Sequence, residues 1–390
     1  MNPNYQRLRR LAALLVGIVF LVSDLLKIID PVGTMLIVKE YFKNFHLTFL
    51  SPLAQGLGVA LALLEALLGI TLITGVLRKE AARVTFVLLG LFTVLTLWLW
   101  ITNPAMDCGC FGQAIHLTHA QSFWKNVVLL ALSAFAFIPF HSFGKPKRDR
   151  KVAAALATLS LLVVVYYSNT HLPIVDFTEY DWGAELYASL DDEVAADNHY
   201  KAAFVYEKDG QEGTFELDFL PDSSWTFVRV DTVFRKTTTV TETYPMLSFT
   251  DAEGEYQDRQ AAEGRVVVFS VYEPSKADWP RLESQYQEVL NAGGKPLVLV
   301  SALPEKLSAL AVPTYFADYK TLITLNRSNG GGTYFNEGEL VNKWDARHFP
   351  ETLAEDFEAD PVDLSTRYIV KRRLYTQGFC VYLAALLILV

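Results

Sequence analysis

Two of the three cysteines in this 390-residue chain lie in one short run, Asp107-Cys108-Gly109-Cys110-Phe111-Gly112. A thiolate can attack a disulfide or bind a soft metal, and two neighbouring thiols can cycle between dithiol and disulfide. Gly109 allows the backbone to bend enough to close the small ring between them. We therefore predict that Cys108 and Cys110 form a catalytic redox pair. A fixed structural disulfide is the alternative that this spacing leaves open.

Two histidines, His116 and His119, follow the cysteines closely. Together with the thiols they supply the residue types of a Cys₂His₂ metal site. The single residue between the cysteines is fewer than the roughly two to four residues that such sites usually have. We therefore predict no metal site.

The chain is 51% hydrophobic, and its apolar residues are concentrated in blocks. Most blocks approach the ~20 residues that a helix needs to cross a bilayer core, so four to six transmembrane helices are predicted. The segment 35–50 mixes aromatic, apolar and charged residues, which is typical of an interfacial helix. This helix is either a plain membrane anchor or a lid over the cysteine loop. The apolar blocks span residues 11–29, 52–77, 84–101, 126–140, 152–167 and 374–390.

Basic residues indicate the orientation of these helices, because short cytoplasmic loops are rich in lysine and arginine. Such residues cluster at positions 7–10, 78–83 and 145–151, which are alternate ends of the predicted helices. The cysteine loop and the long segment 168–371 then lie on the opposite side. In a bacterium that side is the periplasm, where disulfides persist. We predict an inner-membrane protein with a periplasmic soluble domain, and the net charge of -9 argues against a nucleic-acid partner.

Three ionisable residues interrupt the apolar blocks. Asp24 and Lys27 stand three residues apart on one face of the first helix, and Glu65 lies in the middle of the second block. Charged side chains are costly in lipid and usually face a bundle interior or a polar cavity. We predict that all three point inward. They form either an internal salt bridge that fixes helix packing or a polar site that holds a cofactor or relays protons.

The soluble segment shows two successive patterns. Runs of β-branched and aromatic residues at 200–206, 214–220, 225–234 and 237–243 predict an antiparallel meander. The later pattern is strand, helix, strand, helix and a final hairpin, which is the order of a thioredoxin-like α/β domain. These later elements are predicted at residues 265–271, 279–290, 296–301, 304–310, 318–325 and 331–344.

A set of residues in the membrane helices and the cysteine loop forms a family pattern. It consists of Ser23, Lys27, Asp30-Pro31, Gly33-Thr34, Glu65, Gly69, the cysteine loop and Phe123-Trp124-Lys125-Asn126. Through this pattern residues 8–142 resemble the DoxX/MauE group of four-helix membrane proteins. The resemblance implies a bundle similar to the quinone-linked proteins that form disulfides, so the cofactor it implies is a quinone. It also implies a role like that of MauE, which is associated with methylamine utilisation and with maturing a disulfide-rich subunit of methylamine dehydrogenase.

Residues 246–350 resemble, by weaker motifs, the thioredoxin-like modules that are fused to DoxX-type bundles. A working thioredoxin carries Cys-x-x-Cys just after its first strand, where this chain has Tyr272-Glu273-Pro274-Ser275. The domain therefore has no thiol of its own. We expect it either to bind a client protein beside Cys108 and Cys110 or to serve as a structural ectodomain.

The predicted fold is an α-helical membrane bundle joined to a soluble α/β thioredoxin-like domain, with a small antiparallel β segment before it. The predicted function is assistance of periplasmic thiol–disulfide exchange, or maturation of envelope proteins, with an envelope protein as client. The alternative is a non-enzymatic membrane scaffold or assembly factor with a structural Cys108–Cys110 disulfide. The predicted parts are residues 8–142 (four-helix domain), 152–168 (transmembrane helix), 169–245 (β-rich segment), 246–350 (thioredoxin-like domain) and 374–390 (transmembrane helix).

Overall fold

The computed structural model describes residues 3–138, 147–180, 184, 186, 200–208, 211–216, 220–221, 224–234, 247–302, 312–359 and 361–390. The chain divides into two compact units. The first comprises residues 1–176 together with 375–390, and the second comprises residues 177–374. The finer division into five parts stays a prediction.

The first unit is helical. Five helices in its described part are long and apolar enough to cross a membrane, which lies within the predicted four to six. They are α1, α3 with the short 3₁₀ turn Thr48–Leu53 before it, α4, α5 and α6. The apolar part of the C-terminal helix, Arg373–Leu389, is shorter. The elements are α1 (Pro3–Ile29), α2 (Pro31–Asn44), α3 (Ala54–Thr74), α4 (Arg78–Thr102), the short strand β1 (Cys110–Gln113), α5 (His119–Phe137) and α6 (Arg148–Thr170).

Glycines bring α1 and α3 into close contact. A methyl group on Gly69 would lie 2.8 Å from the carbonyl oxygen of Gly17, so neither position has room for a larger residue. Small residues allow membrane helices to approach one another in this way, because lipid supplies no hydrophobic driving force between them. The close contact brings the C-terminal half of α1, with Asp24 and Lys27, next to Glu65 on α3.

Helix α2 follows α1 after a sharp break at Asp30. The Asp30 side chain caps α2, since its Oδ1 accepts the backbone N–H of Gly33 at 2.8 Å, and Pro31 occupies the first turn. One side of α2 is buried, with Met35 and Ile37 on it. The helix is therefore packed into the unit and is more than a surface anchor.

The second unit begins with a small sheet that is antiparallel, as predicted. Its strands are β2 (Tyr200–Lys208), β3 (Gln211–Glu216) and β4 (Thr226–Phe234), in the order β3-β2-β4. The predicted meander is wrong, because β4 pairs with β2 and not with β3. Edge-to-face contacts of Tyr206 with Phe215 and Phe227 hold the three strands together on one face. The predicted strand at 237–243 lies outside the described residues.

A five-stranded mixed sheet forms the rest of the second unit. Its order is β7-β6-β5-β8-β9. Strands β5, β6 and β7 are parallel to one another, β8 is antiparallel to β5, and β9 is antiparallel to β8. Strand β5 is central and nearly all of it is buried, which explains its uninterrupted apolar sequence. The predicted helix at 304–310 lies outside the described residues. The elements are α7 (Arg259–Ala262), β5 (Arg265–Val271), α8 (Trp279–Asn291), β6 (Lys295–Val300), β7 (Thr314–Phe316), α9 (Tyr319–Leu325), β8 (Gly331–Asn336), β9 (Glu339–Trp344), α10 (Ala354–Glu358) and α11 (Pro361–Leu389).

Candidate functional site

The cysteine loop connects α4 to α5 and holds both thiols close together. The sulfur atoms of Cys108 and Cys110 lie 2.7 Å apart. Gly109 between them has a φ of 68°, a left-handed conformation that glycine adopts at little cost. Cys108 is buried, whereas Cys110 is partly exposed. The structure thus brings the predicted pair together and gives its two members different surroundings.

Helices α1 and α2 hold the backbone of this loop. The Tyr41 hydroxyl donates a hydrogen bond to the carbonyl oxygen of Cys108 at 2.9 Å, and the Ser23 hydroxyl donates one to the carbonyl oxygen of Cys110 at 2.5 Å. Ile37 of α2 fills the space that a side chain at position 109 would need. Of the two alternatives predicted for segment 35–50, a cover over the cysteine loop is the one that these contacts favour.

The environment of the pair makes Cys110 the more acidic thiol. The pKa of Cys110 is lowered to about 5, first because the Cys108 thiol hydrogen-bonds to it, and further by the positive charges of Lys125 and Lys27. Burial opposes this effect without cancelling it. The same hydrogen bond raises the pKa of Cys108, and burial raises it further. These opposite directions make Cys110 the more acidic member of the pair and the sulfur better suited to attack a disulfide.

Lys125 lies on α5, beside the loop. Its Nζ lies 5.0 Å from the centroid of the Phe111 ring, within the range of a cation–π contact. This contact holds the ammonium group near Cys110. A lysine next to a thiol is one of the recognised ways in which proteins lower a thiol pKa.

The three predicted intramembrane charges form one cluster. Lys27 Nζ lies 2.7 Å from Asp24 Oδ1 and 3.2 Å from Glu65 Oε2. Asp24 has no exposed surface, and Glu65 is 4% exposed. Lys27 also lowers the pKa of Cys110 through its charge, and a methyl group on Gly112 would lie 3.5 Å from the Cα of Lys27, so the cluster adjoins the cysteine loop. The prediction that the three side chains point inward matches this geometry; their role as a cofactor site stays a prediction.

The two histidines after the loop have other partners. His116 Nδ1 lies 3.0 Å from Asp107 Oδ2, and His119 Nε2 lies 2.9 Å from the carbonyl oxygen of Met106. Among the described residues, no group of three or more His, Cys, Asp or Glu side chains is arranged to hold a metal ion. The histidines thus stabilise the shape of the loop.

Sequence reasoning did not assign a role to three of the residues that surround the thiols. In the sequence, Ser23 and Lys125 stand out only as parts of a family pattern, and the run Trp124-Lys125-Asn126 is the signal that indicates Lys125. Tyr41 contacts a residue 67 positions away, and no local pattern indicates such a contact. Ser23 and Tyr41 orient the loop through hydrogen bonds, and Lys125 places a positive charge beside it.

Fold and site together define a helical membrane protein with an unequal thiol pair in a short connecting loop. Residues 6–139 match the family model of the methylamine utilisation protein MauE, so this part of the chain is MauE/DoxX-like. Residues 200–236, which include β2, β3 and β4, match a domain of unknown function, DUF8463. Searches of curated proteins and of solved structures found no match.

Proposed function

We propose that this protein exchanges disulfides with envelope proteins through Cys108 and Cys110, at the periplasmic side of a bacterial inner membrane. The observation that carries the proposal is the geometry of the pair: the two sulfur atoms lie 2.7 Å apart, Cys108 is buried, and Cys110 is partly exposed. The charges of Lys125 and Lys27 lower the pKa of Cys110 and so favour it as the attacking sulfur. Exchange needs one sulfur that attacks and a second that resolves the mixed disulfide. A purely structural disulfide has no need of the charges that Lys125 and Lys27 bring to Cys110.

The exchange conserves electrons and protons between the pair and a client. The Cys110 thiolate attacks one sulfur of a client disulfide, and the other client sulfur leaves as a thiolate. This thiolate takes the proton of Cys108, whose sulfur then attacks Cys110 and releases the client. The pair loses two electrons and the client disulfide gains them. The reverse sequence oxidises a client dithiol.

The second unit is proposed to be a thioredoxin-like platform that binds the client. Support comes from its strand order, in which two parallel strands and an antiparallel hairpin lie side by side as β6-β5-β8-β9. Cys108, Cys110 and Cys380 are the three cysteines of the chain, so this unit has no thiol for redox chemistry. Its contribution would be recognition, with the exchange performed in the membrane unit.

The MauE match supports maturation of a disulfide-rich periplasmic protein as the physiological task. Methylamine utilisation is the process named by the matched family. We carry the thiol–disulfide chemistry over from the family to this chain, and we name no particular client. A scaffold with a fixed Cys108–Cys110 disulfide is the competing function.

The charged cluster contains one group that suits the quinone implied by the family resemblance. A quinone presents two carbonyl oxygens, which accept hydrogen bonds. Lys27 Nζ has three N–H groups, and its contacts with Asp24 Oδ1 and Glu65 Oε2 leave one of them for a further acceptor. A quinone held there would supply two-electron redox chemistry, and no step of the proposed exchange is derived through it.

The reduction potential of the pair distinguishes exchange from scaffold. We expect a value above about -300 mV, in the range of proteins that exchange disulfides, because the stabilised Cys110 thiolate favours the reduced form. In the measurement, the full-length protein in membranes is equilibrated with a dithiol buffer at several potentials. Its free thiols are then alkylated, and mass spectrometry gives the fraction of alkylated protein. A potential below about -300 mV would identify a structural bond and contradict the proposal.

A further inference from the structure

Four arginines meet at the end of the helical unit opposite to the cysteine loop. Arg9 and Arg10 come from α1, Arg78 begins α4, and Arg150 lies in the first turn of α6. Arg78 is close enough to the other three for their charges to act on it. Arg150 Nη1 lies 3.9 Å from the position that a methyl group on Gly75, just before α4, would occupy. Side chains from three helices therefore converge on one place.

Two of these arginines are drawn into the protein. Arg9 is 3% exposed, and its Nε donates a hydrogen bond to the carbonyl oxygen of Ala136 in the last turn of α5, at 3.0 Å. Arg78 is half-buried, whereas Arg10 and Arg150 are exposed. Arginine side chains have enough rotamer freedom to spread apart in water, where like charges repel. Their convergence therefore indicates an anion that offsets the repulsion.

The protein itself supplies few negative charges at this end. The three segments of the chain that lie there contain eleven lysines and arginines and two acidic residues, Glu80 and Asp149. Glu80 follows Arg78 by two positions and Asp149 directly precedes Arg150, and helix residues at those spacings do not face each other. An external anion therefore suits the arginines better than these carboxylates do. The three segments are residues 1–10, 75–83 and 138–151.

The first turns of α4 and α6 add to the positive potential. The N-terminus of an α-helix carries unpaired backbone N–H groups and the positive end of the helix dipole. Leu77 and Lys147, which precede these two helices, have side chains without a hydrogen-bond acceptor, so neither can cap its helix. Backbone N–H groups and guanidinium groups are the donors that proteins use to bind phosphate oxygens.

We propose that Arg10, Arg78 and Arg150 bind the phosphate group of an anionic phospholipid. Two of the helices that supply these arginines begin to span the membrane at Arg78 and Arg148, so the arginines lie at the level of the lipid headgroups. Exposed apolar side chains on the same helices offer a surface to the acyl chains of that lipid. They include Leu11 on α1, Val84 on α4 and Val152 on α6.

This lipid site is separate from the thiol pair. Helix α4 has 25 residues, so roughly 37 Å of helix lies between the arginines and the cysteine loop. The bound phosphate offsets the repulsion among the arginines and links α1, α4 and α6 at this end of the unit. The inference goes beyond the proposed function and does not depend on it.

Competition between two lipids tests the proposal. The full-length protein in a neutral detergent receives equal amounts of phosphatidylglycerol, which is anionic, and phosphatidylcholine, which has no net charge. Native mass spectrometry then counts the molecules of each lipid that stay bound. We expect the native protein to favour phosphatidylglycerol about tenfold or more, because several arginines act on one phosphate. In the double variant Arg78→Gln and Arg150→Gln we expect a preference below about twofold.

Two further variants complete the test. The double variant Lys79→Gln and Arg83→Gln removes the same charge from exposed positions in the first two turns of α4, and it should keep the native preference. Arg150→Gln alone changes an exposed residue and should lower the preference about threefold or more. It keeps the test available if the loss of the half-buried Arg78 prevents folding.

The outcomes distinguish a lipid site from general attraction and from a site for free phosphate. Equal binding of the two lipids by the native protein, or an equal loss of preference in the Lys79 and Arg83 variant, would overturn the proposal. In a second arm, inorganic phosphate replaces the lipids. Binding of phosphate that needs Arg78 and Arg150, without any preference between the lipids, would assign the site to a free anion and contradict the lipid. None of the variants changes Cys108 or Cys110, so the result is independent of disulfide exchange.

Discussion

Cys108→Ser is expected to accumulate mixed disulfides with client proteins, whereas Cys110→Ser accumulates at least about tenfold fewer. In the first variant the Cys110 thiolate still attacks, and Lys125 and Lys27 still stabilise it. No second sulfur is left to resolve the product. In the second variant the remaining thiol is Cys108, which is buried, and reaction requires a thiolate that its buried position disfavours. The measurement is the yield of high-mass species on non-reducing gels of membranes.

The double variant with serine at both positions is the control for adducts at Cys380. If Cys108→Ser and Cys110→Ser trap equal amounts, the assignment of Cys110 as the attacking sulfur is wrong. If neither traps more than the double variant, exchange itself is contradicted and the scaffold function gains support.

Lys125→Met is expected to shift the pH midpoint of Cys110 alkylation upward by about one unit or more from that of the parent variant. The Lys125 ammonium favours the thiolate, so its removal makes the thiolate harder to form. One unit corresponds to about 1.4 kcal/mol of lost thiolate stabilisation. The measurement is the rate of alkylation of Cys110 against pH, in a Cys108→Ser background compared with the same variant carrying Lys125.

Lys79→Met provides the matched control, since Lys79 is exposed at the opposite end of α4. Its alkylation profile should equal that of the parent. An unchanged midpoint in Lys125→Met would mean that Lys125 does not stabilise the Cys110 thiolate.

The residues that carry chemistry were predictable because their types stand out locally. A thiol pair spaced by one glycine and charged residues inside apolar blocks are visible without any fold, and Asp24, Lys27 and Glu65 are costly in lipid unless they meet. Strand β5 was likewise predictable, since a run of apolar β-branched residues bounded by turns favours a buried strand.

What the sequence could not reveal depends on contacts between distant segments. Ser23 reaches the carbonyl oxygen of Cys110 across 87 positions. The two thiols differ in pKa because of the hydrogen bond between them and because α5 places Lys125 near Cys110. The sequence of the loop alone indicates neither of these contacts. The segment around α2 was predicted as interfacial because its composition is mixed, while tertiary packing gave it a buried face with Ile37 over Gly109.

Labelling of Cys110 in spheroplasts, whose inner membrane is still closed, tests the central claim most directly. A thiol reagent that cannot cross the inner membrane is added to spheroplasts of cells that make the Cys108→Ser variant, and the modified peptide is identified by mass. We expect Cys110 to be labelled without permeabilisation, because the claim needs a reactive thiolate on the periplasmic side. Labelling only after the membrane is opened would place the loop in the cytoplasm and contradict the account.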